Sequence, residues 1–394
     1  MRILFTTQPG AGHFNPLVPF ARAMSNAGHD VTVACAASFV PDVEAAGLRA
    51  LPSGIDWRID RLSDFFPDAP PAGPDRAPWI VRLWTNTTAR AMTHDLLRLI
   101  DSGRVDLIVH EPAEFGACLA AELRGIPHAT AGAFWPRPLG PLATPYNALR
   151  QELSLAPDPH MREPYRYLVL APMLPEWIGA DEQAPPTIHF VRPAAPDGNR
   201  GERPESTLEH TLPQRPLVHA TLGTTEANRI PGLYEAIIAG LSSEPIDLLV
   251  AVGQSRDPAE FGAQPPNVRI ERHVLHAEML PQCDVVVNHG GYGTVMACLT
   301  AGVPMVVIPV QGDQPRNAQR CGELGVGLVV GPDERSPESI RTAVRAVLAD
   351  PAYKRNAIRV QKATQELPGI DHAVELLERL ARDRQPLLSQ QVAP

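Results

Sequence analysis

Two histidines at strand-to-helix turns carry the chemistry this sequence offers. His13, in Gly12-His13-Phe14-Asn15-Pro16, follows the apolar run Arg2 to Thr7 and opens a helix. A neutral imidazole near pH 7 can take the proton of a hydroxyl as it attacks an electrophilic carbon, although a lone turn histidine is more often structural. His289 opens His289-Gly290-Gly291-Tyr292-Gly293-Thr294, directly after the strand Asp284 to Asn288 and before a helix that runs to Gly302. Glycines let the backbone approach a ligand, and the helix start offers unpaired amides to a phosphate, to which the imidazole can add a hydrogen bond. The same glycines also suit a turn that only needs positive φ. Past the next strand lies Pro309-Val310-Gln311-Gly312-Asp313-Gln314-Pro315. A carboxylate beside an amide gives several acceptors and a donor pair, a set suited to vicinal sugar hydroxyls, or else either residue caps the helix starting at Pro315.

These turns need strands and helices to place them. The chain has 394 residues, 44% of them apolar and 20% charged, values of a globular protein with two domains. Both halves alternate strands and helices, which predicts two doubly wound α/β domains with ligands beyond the carboxyl ends of the strands. In the first half, Arg2 to Thr7, Asp30 to Ala36 and Asp106 to His110 read as strands, with Asn15 as N-cap of the first helix and Gly125 ending a later one. In the second half the strands are Leu217 to Leu222, Ile246 to Val252, Val268 to Glu271, Val285 to Asn288 and Met305 to Ile308. The Pro- and Gly-rich stretch around 201–216 reads as the linker. The expected division is 1–200, then that linker, then 217–375, with a helix and tail at 376–394 crossing back to the first domain.

Residues 52–92 and 133–167 break the alternation with prolines and aromatics and read as long loops. Trp57, Phe65, Phe66, Trp79, Trp84, Phe134, Trp135 and Tyr146 are candidates for the wall of an apolar ligand site, or else cover the core.

Composition excludes other classes. A formal net charge of −9 argues against a nucleic-acid or anionic membrane surface. No stretch approaches the roughly 18 apolar residues of a membrane span, and Met1 to Thr7 lacks a signal peptide's charged start and cleavage site. The five cysteines are scattered, none with zinc-ligand spacing, as for reduced thiols in a cytoplasm. Gly10-Ala11-Gly12 suggests a dinucleotide fold, but the third glycine position is Asn15 and the second strand ends in Cys35-Ala36-Ala37 without an acid, so an NAD(P) oxidoreductase is disfavoured.

The stretch His289 through Gln314 resembles the donor-binding motif of the GT-B nucleotide-sugar glycosyltransferases, closest in style to the bacterial natural-product enzymes. The resemblance implies two Rossmann-like domains facing across a cleft, with the donor on the second and the acceptor on the first. It assigns His289, Gly291, Gly293, Thr294 and Asn317 to the phosphate side and Asp313 and Gln314 to the sugar. It also assigns Thr224 and Thr225 to the phosphates, and His273 and Val274 to the base. His13 matches the family's general base. An Asp orients that base in relatives; here His110-Glu111-Pro112 offers Glu111 instead, one methylene longer, with Asp106 as a weaker substitute at the strand's start. The reading is an inverting, metal-independent transfer from a dTDP- or UDP-sugar to a hydroxyl of a small lipophilic acceptor, with no separate cofactor. A GT-B epimerase, hydrolase or non-catalytic binder is the alternative. Acceptor identity and oligomeric state, a homodimer included, stay open.

Overall fold

The computed structural model describes residues 1–70, 75–134, 140–194, 215–223, 230–253 and 256–389. The chain divides into two compact units, Met1–Ala194 with Leu367–Pro394, and Ala195–Glu366. Among the described residues the first unit holds a seven-stranded sheet: β1 (Arg2–Thr6), β2 (Asp30–Cys35), β3 (Ala50–Pro52), β4 (Leu107–His110), β5 (His128–Ala131), β6 (Leu168–Ala171) and β7 (Ile188–Phe190). The order is β3-β2-β1-β4-β5-β6-β7, with every neighbouring pair parallel.

Both faces of this sheet are covered, which is why its strands are apolar runs without alternation. Ile3, Phe5, Leu107 and Val109 pack with Val18, Ala21 and Met24 of the helix Val18–Asn26 on one face. Leu4 and Ile108 pack with Ala117 and Ala120 of the helix Phe115–Arg124 and Leu96 of the helix Ala89–Ser102 on the other. The last helix, Ile370–Asp383, is amphipathic and buries Ala373, Leu376, Leu377 and Leu380 in the first of these cores. It belongs to the first unit from Leu367, before the boundary at 376 expected from the sequence. Beyond it the Leu387 amide donates to the Tyr167 carbonyl and the Ser389 amide to that of Pro186.

The second unit carries six described strands, β8 (Leu217–Thr221), β9 (Asp247–Ala251), β10 (Val268–Glu271), β11 (Val285–Asn288), β12 (Met305–Val307) and β13 (Gly327–Val329). They are parallel in the order β10-β9-β8-β11-β12-β13. Val218, Ala220, Val285 and Val287 meet Ile237 and Leu241 of the helix Leu233–Leu241 and Ile340 and Val344 of the helix Pro337–Ala349. A two-point contact of Arg345 on Glu244, at 2.6 and 2.8 Å, ties those helices at the surface. Both units are thus Rossmann-like α/β sheets. Among the described residues no helix is long and apolar enough to cross a membrane, and all five cysteines are free and buried.

Several local expectations change. Asn15 does not cap the first helix: a single turn, Ala11–Phe14, forms earlier through the Gly10 and Ala11 carbonyls, and Asn15 sits helically between it and Val18–Asn26. The described residues of 52–92 and 133–167 include helices rather than only loops: Arg76–Arg82, a wide π turn Leu83–Thr88 and Gly140–Glu152, which carries Pro145 inside it. Residues 201–214 of the expected linker lie outside the described residues. The strands β3, β6, β7 and β13 are short and show little pattern in sequence.

Four imidazoles are buried against these sheets. Burial holds His110 and His289 down at about 4 and His219 at about 3, and it pushes His128 well below the ordinary value. The unfolded chain therefore takes up protons near pH 6.5 that the folded chain refuses, so stability rises with pH in that window. Glu114 opposes this, because burial raises its carboxyl to about 7, and burial also raises Glu163 and Asp247, but His189 adds a fifth depressed imidazole to the four. Stability measured by urea denaturation is expected to be flat above about pH 7 and to fall steadily from there towards pH 4. Equal midpoints at pH 7 and pH 5 would contradict the burial of neutral imidazoles.

Candidate active site

In each sheet the strand order reverses once, between β1 and β4 and between β8 and β11. Crossovers leave such a point over opposite faces, so the turns beyond it diverge and leave room for a ligand. His13 follows β1 and Glu111 follows β4; Gly223 follows β8 and His289 follows β11.

In the first unit the two turns meet. His13 Nδ1 lies 3.1 Å from Glu111 Oε2. Glu111 is 2% exposed, and its carboxylate also accepts the Ala113 amide at 2.8 Å and the Gln8 amide at 3.4 Å. A carboxylate accepts, so the His13 proton sits on Nδ1 and the lone pair on Nε2. The indole of Trp84 meets the imidazole edge-on at 5.3 Å. The extra methylene of Glu111 is therefore no obstacle to reaching His13. Asp106 is at the other end of β4, accepting the Arg2 amide at 2.9 Å and pairing with Arg104. Gln8 had no signal in the sequence; it is buried, and its Nε2 donates to Thr88 Oγ1 and to the Ala113 carbonyl at 3.2 and 3.0 Å. Glu114 caps the helix Phe115–Arg124 by accepting the Gly116 and Ala117 amides.

The second unit keeps its turn open at the backbone. Gly290 has φ +85°, and a side chain there would meet Val307 Cγ1 at 2.9 Å and the Gln314 carbonyl at 3.1 Å. Its amide is held by Asn288 Oδ1 at 2.7 Å. Gly291 leaves the space that the His289 ring fills: a Cβ would lie 2.3 Å from His289 Nε2. His289 is buried, and its Nδ1 has no hydrogen-bond partner among the described residues. Gly293 is exposed and Thr294 half-buried at the start of the helix Tyr292–Ala301.

Asp313 ties this turn to the next, accepting the Tyr292 amide at 3.2 Å and Asn317 Nδ2 at 2.7 Å, while Asn317 Nδ2 also donates to the Gly290 carbonyl at 2.9 Å. Gln314 Oε1 accepts the Val310 and Gln311 amides at 2.8 and 3.0 Å. Both residues thus shape the loop, whatever else they bind. His273 is half-buried and Val274 buried, just past β10. Thr224 and Thr225 lie outside the described residues.

The aromatic candidates separate by burial. Trp57, Phe134 and Tyr146 are core side chains with 2%, 2% and 0% of their surface exposed, so they pack rather than present a wall. Phe65, Phe66, Trp79 and Trp84 are half-buried around Trp57. Phe66 lies edge-on to Trp57 and Trp79, at 5.9 and 5.5 Å, and this row ends near the His13 turn, where Ile59 donates its amide to the Pro9 carbonyl. Trp135 lies outside the described residues.

Residues 22–164 and 241–380 match the models of the N-terminal and C-terminal domains of erythromycin biosynthesis protein CIII-like proteins. The chain belongs to this family. It is a glycosyltransferase of the natural-product class with the GT-B fold. It is similar to an L-demethylnoviosyl transferase of Streptomyces niveus, 30% identical over 93% of this chain and 95% of that protein. It is equally similar to the 3-alpha-mycarosylerythronolide B desosaminyl transferase of Saccharopolyspora erythraea, at 30% over 98% and 99%. Among solved structures it is similar to the glycosyltransferase VinC in complex with dTDP, with a TM-score of 0.76, 25% identity and coverage of 97% and 100%.

The contact between Gly291 and His289 gives a local test of the glycosyltransferase's second unit. Gly291→Ala is expected to cost about 1–3 kcal/mol by overpacking. The same substitution in a His289→Ala background is expected to cost little, because the opposing ring is gone. Urea denaturation of the four proteins of this cycle measures it, and equal costs in both backgrounds would show that the two residues do not meet.

Proposed function

We propose that this glycosyltransferase moves a sugar from a dTDP- or UDP-linked donor to a hydroxyl of a lipophilic or aromatic acceptor, with inversion and without a metal ion or separate cofactor. The contact of His13 with Glu111 carries the reading. With its proton held on Nδ1 by the carboxylate, His13 offers the Nε2 lone pair to the acceptor hydroxyl. As the acceptor oxygen bonds to C1 of the sugar, its proton passes to Nε2 and the bond from C1 to the diphosphate breaks. Glu111, buried beside the ring, balances the imidazolium that forms. A single displacement of this kind inverts the anomeric centre.

The diphosphate gains charge as it leaves. The amides at the start of the helix Tyr292–Ala301, with His289 beside them, are the groups to meet it. His289 is neutral at pH 7, because burial holds it down at about 4. It therefore adds no counter-charge, and its hydrogen bond to the Thr221 backbone fixes how the ring is presented. The complex of VinC with dTDP favours a thymidine donor, and the natural-product relatives favour a lipophilic acceptor. Half-buried Trp84 beside His13, with Phe66 and Trp79 in the same cluster, gives that acceptor a surface to stack on.

Thermal denaturation with dTDP and UDP tests the donor side. A nucleotide at a hundredfold excess over Kd is expected to raise the apparent stability by about 2.7 kcal/mol, and His289→Ala to remove the effect. His13→Ala is expected to keep that stabilisation while kcat falls roughly 10²–10⁴-fold. EDTA is expected to leave turnover unchanged. Full activity in His13→Ala, or stabilisation by NADPH alone, would sink the reading.

A further inference from the structure

A line of neutral hydrogen bonds runs behind Glu111, and each link has one proton to give. His110 ends β4 and is 1% exposed. Its Nδ1 lies 3.2 Å from the Glu111 carbonyl oxygen, and its Nε2 lies 3.2 Å from His128 Nδ1. A carbonyl only accepts, so the single proton of the neutral His110 ring sits on Nδ1 and Nε2 carries a lone pair. Thr130 Oγ1 is 3.4 Å from that Nε2 but gives its proton to the Pro164 carbonyl at 2.5 Å. His128 Nδ1 must then be the donor to His110. The lone pair left on His128 Nε2 faces Cys118 Sγ at 4.0 Å, and the Tyr146 hydroxyl lies 3.6 Å from that sulfur. From His128 through His110 to the Glu111 carbonyl the donors point the same way.

We infer that His110 is a positioning residue for the His13–Glu111 pair, holding the Glu111 carbonyl through its Nδ1–H in a tautomer that a hydrogen bond from His128 supports. The inference rests on His13 as the base. Its physical content lies in the Glu111 peptide. The amide of Glu111 donates to the Thr6 carbonyl at 3.2 Å, and its carbonyl accepts both His110 Nδ1 and the Glu114 amide at 3.1 Å. Turning that peptide would swing a carboxylate whose Oε2 is shared between the Ala113 amide and His13. The charged and titratable groups facing the two rings are Glu111 at His110, and Arg166, Cys118 and the Tyr167 ring at His128. Burial disfavours a second proton on His128, with His110 and Arg166 adding to it, so the ring stays neutral.

Nitrogen NMR of protein labelled with 15N in its imidazoles reads the tautomers directly and needs no turnover. At pH 7 both His110 and His128 are expected to show a protonated Nδ1 and a bare Nε2, with assignment from the single variants. A protonated Nε2 on His110 would overturn the inference. In steady-state kinetics, His110→Leu is expected to lower kcat roughly 10- to 100-fold by misplacing the pair, with KM for the nucleotide sugar within about twofold of wild type. His110→Asn, whose amide nitrogen falls near the position of Nδ1, is expected to recover most of that loss. Wild-type turnover in His110→Leu, or an Asn variant as slow as the Leu variant, would also overturn it. If His110→Leu fails to fold, His128→Phe keeps a ring but removes the donor to His110, and it is expected to lower kcat without touching Glu111. An inactive His13→Ala beside a fully active His110→Leu would reject only this inference, whereas an active His13→Ala would reject the base itself.

Discussion

Both half-sites depend on the reversal of strand order within an all-parallel sheet. In the first unit the chain leaves β1 towards one face and β4 towards the other, and in the second it leaves β8 and β11 in the same way. Neighbouring turns that travel apart leave backbone amides and side chains without the cover that a crossover helix gives elsewhere along the sheet edge. The rest of each sheet is sealed on both faces by apolar helices. Polar chemistry therefore has one place to gather in each unit.

The two units use that place in opposite ways. After β4 comes Glu111, a buried carboxylate whose oxygens are filled by amides and an imidazole. After β11, the equivalent strand, comes His289, a buried imidazole in a turn of glycines. One arrangement brings a carboxylate to a histidine and fixes which ring nitrogen carries the proton. The other sets a buried imidazole beside the start of a helix, whose amides suit an anion. Asp313 comes near the glycine turn, but it accepts the Tyr292 amide and Asn317 and so binds one loop to the next.

What could be read from the sequence was whatever leaves a local mark. Long apolar runs such as Arg2 to Thr6 and Val285 to Asn288 gave the strands, and the glycines beside His13 and His289 gave the turns. The candidates Glu111 and His13 are 98 positions apart, and they meet because β1 and β4 are neighbours, a fact of topology that no local pattern contains. Gln8 was invisible for the same reason, since its partners Thr88 and Ala113 arrive from other elements. The aromatic stretches misled because proline and tryptophan were read as loop and wall. Proline is tolerated in the first turn of a helix, and Trp57, Phe134 and Tyr146 have enough apolar surface to fill a core. Burial depends on the whole fold, so Phe66 and Trp79 could not be told from Trp57 by type alone.

Glu111 shows how the reach of a side chain is matched to the backbone around it. Its Oε2 has to satisfy the Ala113 amide two residues on and His13 across the turn. An aspartate at this position would be shorter by one carbon–carbon bond, about 1.5 Å, and would hold both only if the β1 and β4 turns drew together by roughly that much. They are not free to do so. The Gln8 side chain bridges to Thr88 and Ala113, and the Glu111 peptide is bonded at both its N–H and its carbonyl. The longer side chain is therefore the one that fits the spacing these contacts set. The residue type follows from the backbone, and the backbone from the buried polar groups around it.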